Sequence, residues 1–242
     1  MDLAWDLADS IHLQEGFYFG REVALDSEES SKPLHGPNQW PSARSLPLLR
    51  PTYEGYISRL TLLGFRLLKL LAISLEVSED YFIRFFEQPM LMLRPLHYEG
   101  RISEPSKGVF RAGAHTDYGM LTILATDGTP GLQIYQEEKW IDVEHIPDSF
   151  VLNLGDMLER WTNRQYNSTL HRVITKTQSE RFSIAFFFEP SFDTVVECLP
   201  QCLNPGEKPF YPPTTAGQHL LDKYSQTHAG YDAGQKERER ES

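Results

Sequence analysis

Between residues 91 and 189 the chain reads as a series of short extended runs, and this alternation constrains the fold more than any other feature. Residues 91–98, 119–126, 132–135, 139–143, 150–154, 170–175 and 182–189 each favour a strand. Turn clusters such as Asp127-Gly128-Thr129-Pro130-Gly131 and Ile146-Pro147-Asp148 separate them. Short strands with turns between them predict an antiparallel sandwich or jelly roll. Ahead of them, Tyr56, Leu60, Leu63, Leu67 and Leu71 recur every three to four residues, which predicts a helix over 53–75 with one face buried against a sheet. Ser78, followed by Glu79 and Asp80, predicts a second helix to about residue 86. A short helix over 156–162 interrupts the strands, and a last one over 214–227 presents Leu220, Leu221 and Tyr224. The opening to about residue 18 reads as a short helix with Leu3, Leu7 and Ile11 inward, and 22–49, rich in Ser, Pro and charge, as a long loop. A chain of 242 residues is long enough for one sizeable core. Residues 1–229 are therefore expected to form a single, mainly β domain with flanking helices, and 230–242 a solvated, disordered tail.

Against that background Ala112-Gly113-Ala114-His115-Thr116-Asp117-Tyr118-Gly119 stands out. On an extended strand, His115 and Asp117 point the same way. A second imidazole, His171, arrives from a distant part of the chain. Two histidines and one carboxylate make a three-sided ligand set with metal positions left open, the facial arrangement of non-haem Fe(II) oxygenases. Zinc could take the same ligands, and a lone His-x-Asp between two glycines could equally be a turn whose Asp caps nearby amides. Beyond His171 come Arg181 and Ser183, two apart and so on one strand face. A guanidinium beside a hydroxyl suits a carboxylate, because the planar fork engages both oxygens. That carboxylate could also be a fixed protein partner such as Glu180 or Glu189.

The ordered set His115-x-Asp117, His171, Arg181-x-Ser183 resembles the Fe(II)- and 2-oxoglutarate-dependent dioxygenases, in particular their isopenicillin N synthase-like branch. Pro33-Leu34-His35-Gly36-Pro37-Asn38-Gln39-Trp40-Pro41, Asn153-Leu154-Gly155-Asp156-Met157-Leu158 and Ser168-Thr169-Leu170-His171-Arg172-Val173 resemble further segments of the family, so the likeness runs over nearly the whole chain. It implies a double-stranded β-helix with metal at one end of the roll, held by His115, Asp117 and His171. It implies that Arg181 and Ser183 hold the far carboxylate of 2-oxoglutarate, and that Tyr98 contacts the same cosubstrate. Fe(II), 2-oxoglutarate and O2 would then act together to oxidise, most simply to hydroxylate, a small organic substrate, releasing succinate and CO2. The 35–40 loop is expected to border the mouth of the site, and Phe188 to reach the substrate. Relatives usually begin with an additional N-terminal module that nothing here matches, so an N-terminally shortened form is expected, with some sheet edge and apolar surface to be covered. Two alternatives remain: an oxidase of the same fold that does not use 2-oxoglutarate, and a shortened, catalytically weak form that binds a small molecule or a partner.

A net charge of −11 repels phosphate backbones and anionic membranes, so neither nucleic acid nor a membrane is expected as a partner. With Cys198 and Cys202 the only cysteines, no disulfide framework is expected and a reducing, cytoplasmic location fits better. The start lacks a basic signal-like segment. A monomer or weak oligomer acting on a small molecule is the expected form.

Overall fold

The computed structural model describes residues 11–12 and 14–227, so the expectations for residues 1–10 and for the tail lie outside the described residues. Eight strands build the roll: β1 (Pro89–Tyr98), β2 (Ala112–His115), β3 (Leu121–Thr126), β4 (Leu132–Gln136), β5 (Lys139–Asp142), β6 (Val151–Leu154), β7 (His171–Val173) and β8 (Arg181–Ser191). They pair antiparallel in two sheets, one in the order β6-β3-β8-β1 and the other β2-β7-β4-β5, which is the jelly roll. Each of the seven expected runs overlaps one of these strands. The eighth, β2, has the sequence Ala-Gly-Ala-His, too small in its side chains to show an alternation.

The alternation along β8 decides what faces where. Phe186 and Phe188 are fully buried beneath the long helix α1 (Leu49–Ser74), while Arg181, Ser183, Ala185, Phe187 and Glu189 share the opposite face, toward the inside of the roll. Phe188 is therefore core rather than a substrate contact, and Phe187 takes the position expected of it. Register pairs the inward residues of β8 with those of β1: Arg181 with Tyr98, Ser183 with Leu96, Ala185 with Arg94, Phe187 with Met92, Glu189 with Met90.

The face of α1 that meets the sheet is Leu60, Gly64, Leu68 and Ala72, all buried at four-residue steps, with Tyr56, Leu63, Leu67 and Leu71 flanking it. Its centre falls one residue beyond the bulkier stripe expected, because close approach requires small residues there. A Cβ at Gly64 would lie 2.7 Å from the Phe188 ring. Burying an aromatic of this size contributes roughly 1.5–3 kcal/mol.

Two helix expectations are corrected. After Ser78 the chain makes only turns and one 3-10 turn, Ile83–Phe85. It has to be extended by Pro89, where β1 begins, and a residue before proline disfavours the helical region. Of the opening segment, Ile11–His12 pairs with Val109–Phe110, while Glu15–Gly16 and Phe19–Gly20 pair along β1. That edge of the sheet needs partners for its backbone groups, which a helix would not supply. The helices α2 (Asp156–Trp161) and α3 (Ala216–Thr227) complete the fold near the positions expected.

Candidate metal centre

His115 ends β2 and His171 begins β7, and the two are register partners whose ring centroids lie 4.2 Å apart. Asp117 is not on the strand with His115 but in the turn that follows it, and its Oδ1 still comes within 3.6 Å of His171 Nε2. One potential ligand atom from each of His115, Asp117 and His171 lies within 4.8 Å of the others. The start of α2 holds the turn in place. The amides of Gly155, Asp156 and Met157 donate to the carbonyls of Met120, Asp117 and Gly119 at 3.2, 2.8 and 3.0 Å, which gives the helix's first free N–H groups their acceptors. A Cβ at Gly119 would fall on the Glu189 carboxylate, so any larger residue there would have to displace that side chain.

Each imidazole is oriented through its other nitrogen. His115 Nδ1 lies 2.8 Å from the Gly113 carbonyl and His171 Nδ1 lies 2.9 Å from that of Thr169. A carbonyl can only accept, so both Nδ1 atoms carry the proton and both Nε2 lone pairs are free for a metal. Asn153, on β6, donates from Nδ2 to Asp117 Oδ2 at 2.6 Å and so fixes which oxygen is turned toward His171. Desolvation, reinforced by the His171 imidazole, pushes His115 down to about 4, so it is neutral and able to ligate at neutral pH. Two imidazoles and a carboxylate, with no thiolate among them, fit a divalent iron with open positions.

Behind these residues a cavity of about 300 Å³ runs into the roll, with apolar walls that include Leu96, Leu124, Leu132, Val151 and Val173. Arg181, Ser183 and Tyr98 line it too. Arg181 is 1% exposed. Its Nη1 donates to Ser183 Oγ at 3.3 Å, its Nε to the Thr129 carbonyl at 3.2 Å, and its guanidinium carbon lies 5.0 Å from the centre of the Tyr98 ring. The fixed acidic partners considered for it are elsewhere: Glu180 lies 3.7 Å from His97 Nε2, and Glu189 accepts the Met120 amide. Among the described residues Arg181 has no carboxylate partner, a costly state for a buried guanidinium unless a ligand supplies the anion.

A second, outer cavity of about 130 Å³ shares Arg94, His115, Asp117 and Phe187 with the inner one. Of the 35–40 loop only His35 borders it, next to Leu34, and Asn38 and Trp40 do not. Asn38 accepts the Gly20 amide at 2.8 Å, and Trp40 stacks on Phe19 with centroids 4.6 Å apart. Leu220 and Tyr224 of α3 close the other side. Sequence reasoning missed three residues here: Asn153, Arg94 and the cavity-lining role of Glu189. Arg94 carries a signal, as the one charge in the apolar run from Met90 to Leu96. Glu189 is 4% exposed, and burial pushes its carboxyl up to about 8.

Comparison with known proteins places this geometry. Residues 87–190 match the 2OG-Fe(II) oxygenase superfamily. The chain is 36% identical over 231 residues to the 2-oxoglutarate-Fe(II) type oxidoreductase hxnY of Emericella nidulans, covering 93% of this chain and 66% of that protein. It is 32% identical over 227 residues to azadirone synthase LFS of Melia azedarach, covering 89% and 67%. The crystal structure of a full-length Neurospora crassa protein in complex with alpha-KG and 5-formyluracil superposes with a TM-score of 0.80 at 30% identity, over 89% of this chain and 70% of that one. The chain thus spans about two thirds of the length of the curated relatives it matches.

Proposed function

The chain belongs to the 2OG-Fe(II) oxygenase superfamily, and we propose that it is an Fe(II)- and 2-oxoglutarate-dependent dioxygenase that hydroxylates a small organic substrate. The observation that carries this reading is the buried Arg181, without a carboxylate partner among the described residues, in the wall of a cavity that the His115, Asp117 and His171 side chains also line. Bound iron, 2-oxoglutarate and O2 would supply the oxidising power, with succinate and CO2 as co-products.

The chain's own residues bind, orient and exclude water. His115 and His171 offer Nε2 and Asp117 offers an oxygen, all three turned toward one point by Gly113, Thr169 and Asn153. Arg181 and Ser183 take the far carboxylate of the cosubstrate, with Tyr98 packed against the guanidinium. The aliphatic walls between the two ends exclude water, which strengthens every charge interaction inside. The substrate enters from the outer cavity, on the other side of the metal ligands. Residues 1–229 act as one domain, a monomer or weak oligomer. The unpaired thiols of Cys198 and Cys202 favour a reducing compartment, the cytoplasm, and among the described residues no helix is long and apolar enough to cross a membrane.

The test is an anaerobic titration of the protein with Fe(II) and then 2-oxoglutarate, followed by its visible charge-transfer absorption. A saturable band, with succinate released once O2 and substrate are supplied, is the expected result. Iron binding without a band, or substrate oxidation without succinate, would overturn it in favour of an oxidase that needs no cosubstrate.

A further inference from the structure

Arg94, like Arg181, lines the inside of the roll and enters no ion pair among the described residues. It lies on the inward face of β1 opposite Ala185, four residues along β8 from the level of Arg181, and it lines both cavities where they meet. Its guanidinium carbon sits 4.7 Å from the centre of the Tyr18 ring, a cation–π contact that leaves its donors free. Its Nε is buried with no hydrogen-bond partner, and among the described residues Arg94 enters no ion pair. The nearby acids are committed elsewhere: Glu189 to the Met120 amide, Asp117 to Asn153 and the metal position. Among the other walls of the outer cavity Leu34, Met90, Met92, Phe187 and Leu220 are apolar, while Arg21, His35 and Thr116 add polar groups.

We infer that the outer cavity is a site for a small, largely apolar molecule bearing one carboxylate, and that Arg94 is the residue that selects for it. The inference rests on the dioxygenase reading for the direction in which the substrate lies, and it names the substrate's class. A guanidinium presents a planar fork to two carboxylate oxygens, and a ligand that fills it removes the penalty of an unpaired buried donor. An amide or ester of the same body offers a single neutral acceptor and leaves the cation uncompensated. The apolar walls hold the remainder of the molecule and contribute no discrimination between acid and amide. Arg21, the other arginine in the lining, is already paired with Glu29, so specificity for the charged form falls on Arg94.

The probes are phenylacetate and cyclohexylacetate, each against its primary amide, titrated by calorimetry into the full chain loaded anaerobically with Fe(II) and 2-oxoglutarate. Each acid is expected to bind about tenfold or more tighter than its amide. In Arg94→Met the two are expected to bind within about twofold of one another, while the charge-transfer band forms at an unchanged 2-oxoglutarate concentration. Arg94→Lys, which keeps the charge without the fork, should retain part of the preference. Wild-type protein that binds neither acid better than its amide would overturn the inference, as would a preference that survives in Arg94→Met. If Arg94→Met needs as much extra 2-oxoglutarate as Arg181→Met, the guanidinium serves the cosubstrate and the inference fails. A wild type that forms no band yet prefers the acids through Arg94 would sink the cofactor reading and leave this one standing.

Discussion

The inner cavity is enclosed almost entirely by strand residues, whereas the outer one borrows walls from a loop, a turn and a helix. On the inner side, β1, β3, β6, β7 and β8 each contribute side chains at fixed two-residue intervals. Once the register is set, Tyr98 faces Arg181 and His115 faces His171 without further adjustment. A one-residue slip of β8 would turn Arg181 out and Phe182 in. On the outer side, Leu34 and His35 come from the long loop, Tyr118 from the turn after β2, and Leu220 and Tyr224 from α3. None of these is tied to the sheet register. The difference separates two tasks: geometry common to a chemistry is held by backbone pairing, and selection of a substrate is left to parts that can vary without disturbing it.

The comparison breaks most decisively at the wall the two cavities share. Asp117→Ala removes the only carboxylate of the ligand set, and we expect iron binding and turnover to be lost on the inner and outer side alike. Equilibrium dialysis against Fe(II) checks this, and retained iron with full succinate release would remove Asp117 from the centre. Next in size is Arg181→Met, which tests whether the inner end is dedicated to the cosubstrate. Truncating one member of a buried charge pair costs about 2–5 kcal/mol, so affinity for 2-oxoglutarate should fall on the order of 100-fold. Iron affinity should stay as it was, and if the two fall together the inner end is not dedicated to the cosubstrate. Asn153→Ala then asks how far orientation matters when the ligands are untouched. Its amide fixes Asp117 Oδ2, and loss of such a partner weakens a metal site by roughly 10–100-fold. An unchanged iron affinity would mean that the turn alone, held by α2, is enough.

The same division explains what is legible in the sequence. The strands and α1 announce themselves through periodicity, and His115, Asp117, His171, Arg181 and Ser183 through residue types too expensive to bury idly. Tyr98 is reached only through family resemblance, because a lone tyrosine in an apolar strand has no signal of its own. His-x-Asp alternates like a strand, which is why the spacing puts Asp117 on one. The turn that actually carries it depends on amides from α2, nearly forty residues later in the chain, and contacts of that kind leave no local pattern. Asn153 is visible as part of a segment but not as a partner of Asp117, for the same reason. Arg94 shows as a single charge in an apolar run; what sequence does not carry is that no acid meets it. The second helix is absent because Pro89 and the start of β1 outweigh a good cap at Ser78.

Glu189 lies where the two regions meet and gives the smallest effect, one read in stability rather than activity. It belongs to the register-fixed face of β8 but lines the outer cavity, pinned under the turn by the Met120 amide. Burial raises its carboxyl from 4.5 to about 8. Between those values the native chain keeps the proton while the unfolded chain releases it, so the native state binds more protons and stability falls as pH rises through the window. The slope is at most about 1.4 kcal/mol per pH unit. His115, depressed to about 4, acts with the opposite sign below neutrality, so the contribution of Glu189 is cleanest as a difference between proteins. In Glu189→Gln the side-chain oxygen can still accept the Met120 amide but has nothing to titrate. Urea denaturation of the metal-free protein at several pH values should show the variant gaining on the wild type from mildly acidic to mildly alkaline pH. Parallel curves would mean that the carboxyl is ionised in the native state, and that the turn carrying Asp117 tolerates a buried charge beside the metal position.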